Sequence, residues 1–136
     1  MNWIDTSPEC GDLIRTKVSF YYHYGIFVSE QEVIQFGLPN DPGRPADEIK
    51  VLRSDIYTFL SGGNLEVGQP TRDEKKTIRS PKERVNIARS RLGEGGYDIL
   101  HHNCEHFVNE CAFGESRSSF LDNVRVTLRH KLSQPK

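Results

Sequence analysis

The stretch LIRTKVSFYYHYGIFVSEQEVIQF, residues 13–36, is rich in β-branched and aromatic residues. It predicts three strands, which are Leu13–Ser19, Phe20–Val28 and Glu32–Phe36. The turn signal Gly11-Asp12 precedes the first strand, and the polar run Ser29-Glu30-Gln31 separates the second from the third. Because short connections join neighbouring antiparallel strands, the stretch predicts an antiparallel meander.

The second half of the chain carries helical signals. The run Ser80-Pro81-Lys82-Glu83 combines an N-cap residue, a proline suited to the first helical position and a capping-box glutamate. It predicts a helix over residues 81–92. Apolar residues at helical spacing predict two more helices, one that begins near Asn103 or Cys104 and ends before Gly114, and one over residues 119–132.

Residues 37–48 lie between these halves and hold enough glycine and proline to predict a loop without regular structure. Smaller elements are predicted at residues 49–52 (strand), 54–60 (helical turns) and 64–68 (strand). Strands early in the chain and helices late predict the α+β class, with an antiparallel sheet packed with helices. We expect a single domain over residues 1–136, in which residues 119–136 form a C-terminal helix and tail.

The composition narrows the class of protein. Eighteen Lys and Arg residues face 19 Asp and Glu residues, a formal net charge of -1, which argues against a nucleic-acid-binding protein because such proteins carry a basic excess. Cys10, Cys104 and Cys111 form an odd, sparse set that favours reduced thiols in the cytoplasm over a disulfide framework. Without a signal peptide or an apolar run of about 20 residues, the sequence predicts a soluble protein.

Cys104 is the candidate nucleophile because it stands where the second predicted helix begins. The free N–H groups and the dipole of a helix N-terminus stabilise a thiolate, and the backbone N–H of Cys104 is a candidate oxyanion donor. The alternative is a buried structural cysteine. Cys111, two helical turns later among apolar neighbours, is interpreted as a core residue, and Cys10 as incidental.

A cysteine nucleophile needs a base, and His23 in the second predicted strand is the candidate. If residues 29–31 form the turn, Gln35 lies across from the His23 region, where its amide could orient the imidazole. The alternatives are a half-exposed histidine and a solvent-facing glutamine. Histidines 101, 102 and 106 surround Cys104, but their spacing matches no standard zinc signature, so no metal site is predicted.

The segment Asn103-Cys104-Glu105-His106-Phe107-Val108-Asn109-Glu110 resembles the nucleophile motif of the lecithin:retinol acyltransferase-like family. Gly11-Asp12-Leu13-Ile14 and Tyr22-His23-Tyr24-Gly25-Ile26 also resemble this family, and Gly114…Arg117-Ser118 resembles its small phospholipase/acyltransferase branch. The match covers roughly residues 8–120. It implies an α+β fold related to a circularly permuted NlpC/P60 papain-like domain.

The resemblance also implies a mechanism. Cys104 would be the nucleophile that takes an acyl chain from a phospholipid and forms a thioester, and His23 would be the general base. The acyl group would then pass to water, an amine or an alcohol. The resemblance implies no cofactor, and it makes a lipid or another acyl donor the expected substrate.

The chain departs from the family pattern in two places. Gln35 stands where animal members usually have a second histidine, and an amide can orient His23 without carrying charge. This replacement leaves both an active enzyme and an inactive relative open. Residues 119–136 are basic where animal members of the branch often carry a hydrophobic anchor. The basic residues suit either peripheral contact with an anionic membrane or a solvated helix face, and the near-zero net charge favours the second.

Three functional hypotheses follow. The leading one is a thiol-dependent acyltransferase or phospholipase A-type acyl hydrolase. The second is a cysteine peptidase or isopeptidase of the permuted papain-like class, which shares the His-then-Cys order, although Glu105 favours the acyltransferase branch. The third is a catalytically inactive binding module, for which Gln35 is the main support.

Overall fold

The computed structural model of the chain describes residues 1–39 and 43–114. These residues form one six-stranded antiparallel sheet in the order β1-β6-β2-β3-β4-β5. The strands are β1 (Asn2–Ile4), β2 (Leu13–Val18), β3 (Tyr21–Ser29), β4 (Glu32–Phe36), β5 (Val51–Ser54) and β6 (Leu65–Gln69). The helices are α1 (Ile56–Leu60), α2 (Pro81–Ser90) and α3 (Cys104–Phe113). The predicted α+β class, with an antiparallel sheet packed with helices, is confirmed.

Strands β2, β3 and β4 form the predicted antiparallel meander. Val18 pairs with Tyr21, so the turn between β2 and β3 has only two residues, and Ser19 in it has a φ of 60°. Strand β4 has the predicted bounds and pairs with β3, with Gly25 opposite Gln35. Strand β3, which carries the candidate base His23, therefore lies in the interior of the sheet between β2 and β4.

Three smaller elements begin one or two residues after their predicted positions. Strand β5 begins at Val51 rather than 49, α1 at Ile56 rather than 54, and β6 at Leu65 rather than 64. The helix begins later because the Asp55 side chain accepts the N–H of Thr58 at 2.7 Å and so acts as the N-cap. Strand β1 is absent from the prediction, because three residues are too few to show an alternating pattern.

Helices α2 and α3 begin at their predicted positions. The Ser80 hydroxyl oxygen accepts the N–H of Glu83 at 3.2 Å and donates to its carboxylate at 3.0 Å. Helix α2 ends at Ser90, two residues before the predicted end, and the chain then turns through Gly93 with a φ of 87°. Gly114, with a φ of 75°, caps α3 where the sequence predicts its end.

The helices cover both faces of the sheet and produce two cores. The larger core lies on the face that packs against α2 and α3, and its members include Tyr24, Ile26, Ile34, Phe36, Val85, Phe107 and Val108. The smaller core lies under α1 and contains Ile14, Phe27, Val33, Ile56, Phe59 and Val67. Side chains of a strand alternate between the two faces of the sheet. Because both faces are covered, the polar side chains of His23 and Gln35 are buried as well.

Parts of the prediction fall outside the described residues. These parts are the third helix over residues 119–132, the tail to residue 136, and residues 40–42 of the loop. The described part of the 37–48 loop contains a 3₁₀ turn at Ala46–Glu48, so the prediction of no regular structure there is wrong. A single such turn needs only three residues and fits between the prolines and glycines. Among the described residues, no helix has both the length and the apolar composition needed to span a bilayer.

Candidate active site

Cys104 is the first residue of α3, and its neighbours fix the start of that helix. The Asn103 side-chain oxygen accepts the N–H groups of Glu105 and His106, each at 3.0 Å. In return, Nδ1 of His106 accepts the N–H of Asn103 at 3.1 Å, which completes a capping box with histidine in the place of glutamate. The Asn103 amide also donates to the carbonyl of Ile99 at 2.8 Å. The N-terminus of α3 is therefore held from both sides.

The Cys104 thiol is buried among backbone N–H groups. Burial has the largest effect on its pKa and raises it, while N–H groups of Tyr24, Glu105 and Cys104 itself lower it. The net result is a pKa of about 11. The expected helix-terminal stabilisation of a thiolate is thus present, but burial outweighs it, and the resting group is a neutral thiol at neutral pH.

Strand β3, which carries the candidate base His23, passes the N-terminus of α3. The Tyr24 N–H that faces the Cys104 sulfur belongs to the residue after His23, so the sulfur lies within one peptide unit of the His23 backbone. Pairing between β3 and β4 ends with Gly25 opposite Gln35, one residue beyond Tyr24. The N-terminus of α3 therefore reaches β3 where the ladder to β4 stops.

The His23 ring is buried on the α1 side of the sheet. Its centroid lies 5.1 Å from that of Phe59. Gly25 makes this approach feasible, because a Cβ at that position would lie 2.8 Å from Cε2 of Phe59. The aromatic ring of α1 thus restrains the imidazole from one side.

Gln35 links His23 to β5 through hydrogen bonds whose direction is defined. The Ser54 hydroxyl donates to the carbonyl of Asp55 at 2.9 Å, so its oxygen accepts the Nε2–H of Gln35 at 2.6 Å. The amide oxygen of Gln35 therefore faces His23 and accepts its Nε2–H at 2.7 Å. Since a neutral imidazole carries one proton, the lone pair that can accept a further proton is on Nδ1. Both side chains are buried, which excludes the half-exposed histidine and the solvent-facing glutamine.

The three histidines that flank the start of α3 are engaged elsewhere. His106 caps the helix, and burial lowers its pKa. His102 lies 3.4 Å from the carboxylate of Glu94 and 3.7 Å from that of Glu110, and the exposed His101 lies 3.4 Å from the carboxylate of Asp98. Within residues 1–39 and 43–114, no group of three or more His, Cys, Asp or Glu side chains is arranged to hold a metal ion.

The other two cysteines differ from Cys104 in their surroundings. Cys111 is fully buried in the larger core, and burial raises its pKa to about 12. Its interpretation as a core residue is confirmed. Cys10 is exposed outside the strands and helices, and all three thiols are free.

Two contributors to the site are missing from the sequence analysis. Nothing in the sequence around Ser54 predicts its role. Ser54 pairs with Val33 of β4, and Gln35 lies two residues after Val33 on the same face, so the contact depends on the pairing register of β4 and β5. The Tyr24 N–H is likewise defined only by how α3 packs on β3. Asn103, in contrast, is a typical N-cap residue directly before the predicted helix and was identifiable from that position.

Similarity to known proteins covers most of the chain. The sequence model of the family described as Lecithin retinol acyltransferase matches residues 6–117. Mouse lecithin retinol acyltransferase is 27% identical over 147 residues, which cover 90% of this chain and 64% of the mouse protein. Human phospholipase A and acyltransferase 3 is 28% identical over 128 residues, which cover 88% of this chain and 79% of the human protein. The chain therefore spans less than two thirds of the length of the mouse protein and more than two thirds of the length of the human protein.

Proposed function

The chain belongs to the lecithin retinol acyltransferase family, and we propose that it transfers or hydrolyses acyl groups through a thioester on Cys104. The proposed donor is a phospholipid, in keeping with relatives named as phospholipases A and acyltransferases. The observation that supports this most is the Cys104 sulfur at the backbone N–H of Tyr24, the residue that follows His23 on β3.

In the proposed first step, the Cys104 sulfur attacks the carbonyl carbon of the ester. Because the thiol has a pKa of about 11, its proton must leave as the C–S bond forms, and the proposed acceptor is Nδ1 of His23, since Nε2 carries the proton donated to Gln35. The backbone N–H of Cys104, at the N-terminus of α3, stabilises the oxyanion. The C–O bond then breaks, and the His23 proton passes to the leaving alkoxide, which departs as a lysophospholipid.

In the second step, water, an amine or an alcohol attacks the thioester. His23 takes a proton from this nucleophile as it adds, and then returns the proton to the departing Cys104 thiolate. Each cycle ends with the neutral thiol with which it began. Hydrolase and transferase activity thus differ only in which nucleophile reaches the thioester.

Gln35 has a positioning role in this proposal. Its oxygen keeps the Nε2–H of His23 engaged both before and after Nδ1 gains a proton. An amide carries no charge, so Gln35 stabilises the imidazolium through a hydrogen bond and not through an ion pair. The fully hydrogen-bonded chain from His23 through Gln35 to Ser54 favours an active enzyme over an inactive binding module, since burying such polar groups has a cost in stability.

The direct test is incubation of the purified chain with a short-chain phosphatidylcholine that stays monomeric in solution. We expect release of fatty acid and lysophospholipid, and an N-acyl product when a primary amine is added, all detected by mass spectrometry. Cys104→Ala should abolish every product, and Cys111→Ala serves as the matched control that retains them. Equal release by Cys104→Ala would contradict the proposal. Absence of release, together with cleavage of peptides, would favour the peptidase alternative.

A further inference from the structure

Four large apolar side chains of the described residues are exposed. They are Phe20 at 90%, Tyr57 at 74%, Ile99 at 63% and Leu100 at 41%. Tyr57 is a single exposed ring on α1, but the other three occupy the tips of two loops. Large apolar side chains in contact with water are unfavourable, and a cluster of them often marks an interaction surface.

The hairpin between β2 and β3 holds Phe20 out of the core. The turn has only two residues, and Ser19 adopts the left-handed conformation. The Phe20 ring contacts Tyr21 edge-on at a centroid distance of 6.0 Å, and the Tyr21 hydroxyl donates to the carbonyl of Pro39. The hairpin tip therefore presents the Phe20 side chain to solvent.

The turn over residues 98–102 holds Ile99 and Leu100 out in a similar way. The Asp98 carboxylate accepts the N–H of Leu100 at 2.9 Å and that of His101 at 3.1 Å. Backbone bonds of 2.9 and 2.8 Å join Asp98 and His102 across the base of the turn. These contacts use the polar groups of the turn and leave both apolar side chains in solvent.

Each tip is close in the chain to one of the candidate site residues. Phe20 comes three residues before His23, about 10 Å along β3. The carbonyl of Ile99 accepts a hydrogen bond from the side-chain amide of Asn103, the residue before Cys104.

The end of β4 fixes the position of the second tip. The ring of Phe36, the last residue of β4, lies 5.2 Å from that of Tyr97 and 5.0 Å from that of His102. Strands β3 and β4 are antiparallel and their last pair is Gly25 with Gln35, so β4 ends in the direction in which β3 begins, toward the Phe20 hairpin. The 98–102 turn and the hairpin tip therefore occupy the same end of the sheet.

We propose that Phe20, Ile99 and Leu100 insert into the surface of a phospholipid bilayer and hold Cys104 against it. This inference rests on the proposed function, because a phospholipid donor resides in a bilayer. A bilayer fits better than a protein partner, since a stable protein interface buries about 800 Å² on each side and an aromatic ring supplies only about 150–250 Å². Lys17 is exposed on β2 beside the hairpin tip and would lie among anionic headgroups.

The test measures how the full chain partitions onto vesicles of phosphatidylcholine containing phosphatidylserine, by co-sedimentation. We expect Phe20→Ser, and Ile99→Ser combined with Leu100→Ser, each to weaken binding about tenfold, because each removes apolar area from the bilayer. Tyr57→Ser is the matched control, since it removes an exposed aromatic ring from another surface, and it should bind within about twofold of the unmodified chain. Unchanged binding in both tip variants, equal losses in the Tyr57 variant, or no vesicle binding by the unmodified chain would each overturn the inference.

A second variant guards against loss of folding. Phe20→Trp, made together with Trp3→Phe, keeps an aromatic ring at the tip and makes it the sole tryptophan. Its emission should shift to shorter wavelength on vesicles, and no shift would overturn the inference. A self-association lost with Phe20→Ser would also overturn it, in favour of an interface between two copies.

Turnover of the monomeric short-chain phosphatidylcholine separates this inference from the proposed function. The tip variants should hydrolyse it at the unmodified rate while they lose activity on vesicles. Vesicle binding that depends on the tips, without any turnover, would support docking and contradict the proposed function.

Discussion

Cys104 and Cys111 belong to the same helix, are both buried, and both have a pKa raised by burial. They differ in what surrounds the sulfur. Cys104 begins α3, three backbone N–H groups face it, and His23 is the next residue along β3 from one of them. Cys111 lies two turns further on, with apolar neighbours and the side chain of Arg91. Burial and a shifted pKa thus fail to distinguish the proposed nucleophile from a core cysteine, and the proposal for Cys104 depends on its position at a helix N-terminus that packs on the strand of His23.

Exchange of each cysteine for alanine should separate the two most strongly. We expect Cys104→Ala to lower acyl turnover by at least about 10⁴-fold, because it removes the attacking atom. Cys111→Ala should retain turnover but lose about 1 kcal/mol of unfolding free energy through lost packing. Fatty-acid release and urea unfolding measure these effects. Loss of turnover in the Cys111 variant, at a temperature where it is folded, would break the comparison.

Removal of His23 tests whether the proposed base distinguishes the surroundings of Cys104 from those of Cys111. His23→Ala should lower kcat by about 10³-fold, because the neutral thiol loses its proton acceptor. The stability of the variant should be measured beside Phe59→Leu, which alters the ring contact and keeps the base. Near-normal turnover by His23→Ala would show that another group deprotonates Cys104.

The protonation state of Cys104 gives the next largest effect. A pKa of about 11 means that the thiolate fraction rises tenfold for each pH unit below that value. In a Cys10→Ser background, iodoacetamide should therefore alkylate Cys104 about a hundredfold faster at pH 9 than at pH 7, while Cys111 stays protected by the fold. Peptide mass mapping of the modified cysteine measures both rates. A plateau below pH 8 would instead indicate a resting thiolate–imidazolium pair.

The smallest effects should come from the positioning chain behind His23. Gln35→Ala leaves Nε2–H without its acceptor and should lower kcat about tenfold. Ser54→Ala removes only the group that fixes the direction of the Gln35 amide and should lower kcat about threefold, with Ser54→Thr restoring it. Both variants should shift the pH profile of kcat/KM, which a loss of stability alone would not do. Unchanged profiles would contradict the assigned direction of the hydrogen bonds.

Local patterns explain how far the sequence predicts the fold. Strand β4 and the capped N-termini of α2 and α3 lie where alternation and capping residues predict them. The shifted start of α1 reflects a cap by Asp55 that the apolar pattern does not reveal. Strand β1 is too short for periodicity, and its pairing with β6 is a contact between distant parts of the chain.

The candidate site shows the same division between local and distant information. Cys104 and His23 are identifiable from the motifs around them, and Gln35 from the length of the β3–β4 turn. Ser54 and the Tyr24 N–H are not, because each depends on how separate elements pair or pack. The neutral state of the thiol is also missed, since the helix position is visible in the sequence but the depth of burial is not.

The central claim, that Cys104 carries the acyl group, is tested most directly by the intact mass of the protein. The chain and its Cys104→Ala variant would be incubated with short-chain phosphatidylcholine, quenched in acid and weighed by mass spectrometry. The account predicts a gain of one acyl group on the unmodified chain alone, removed by hydroxylamine, with Cys111→Ala behaving like the unmodified chain. An acyl adduct that persists in Cys104→Ala, or fatty-acid release with no adduct trapped at any time, would contradict it.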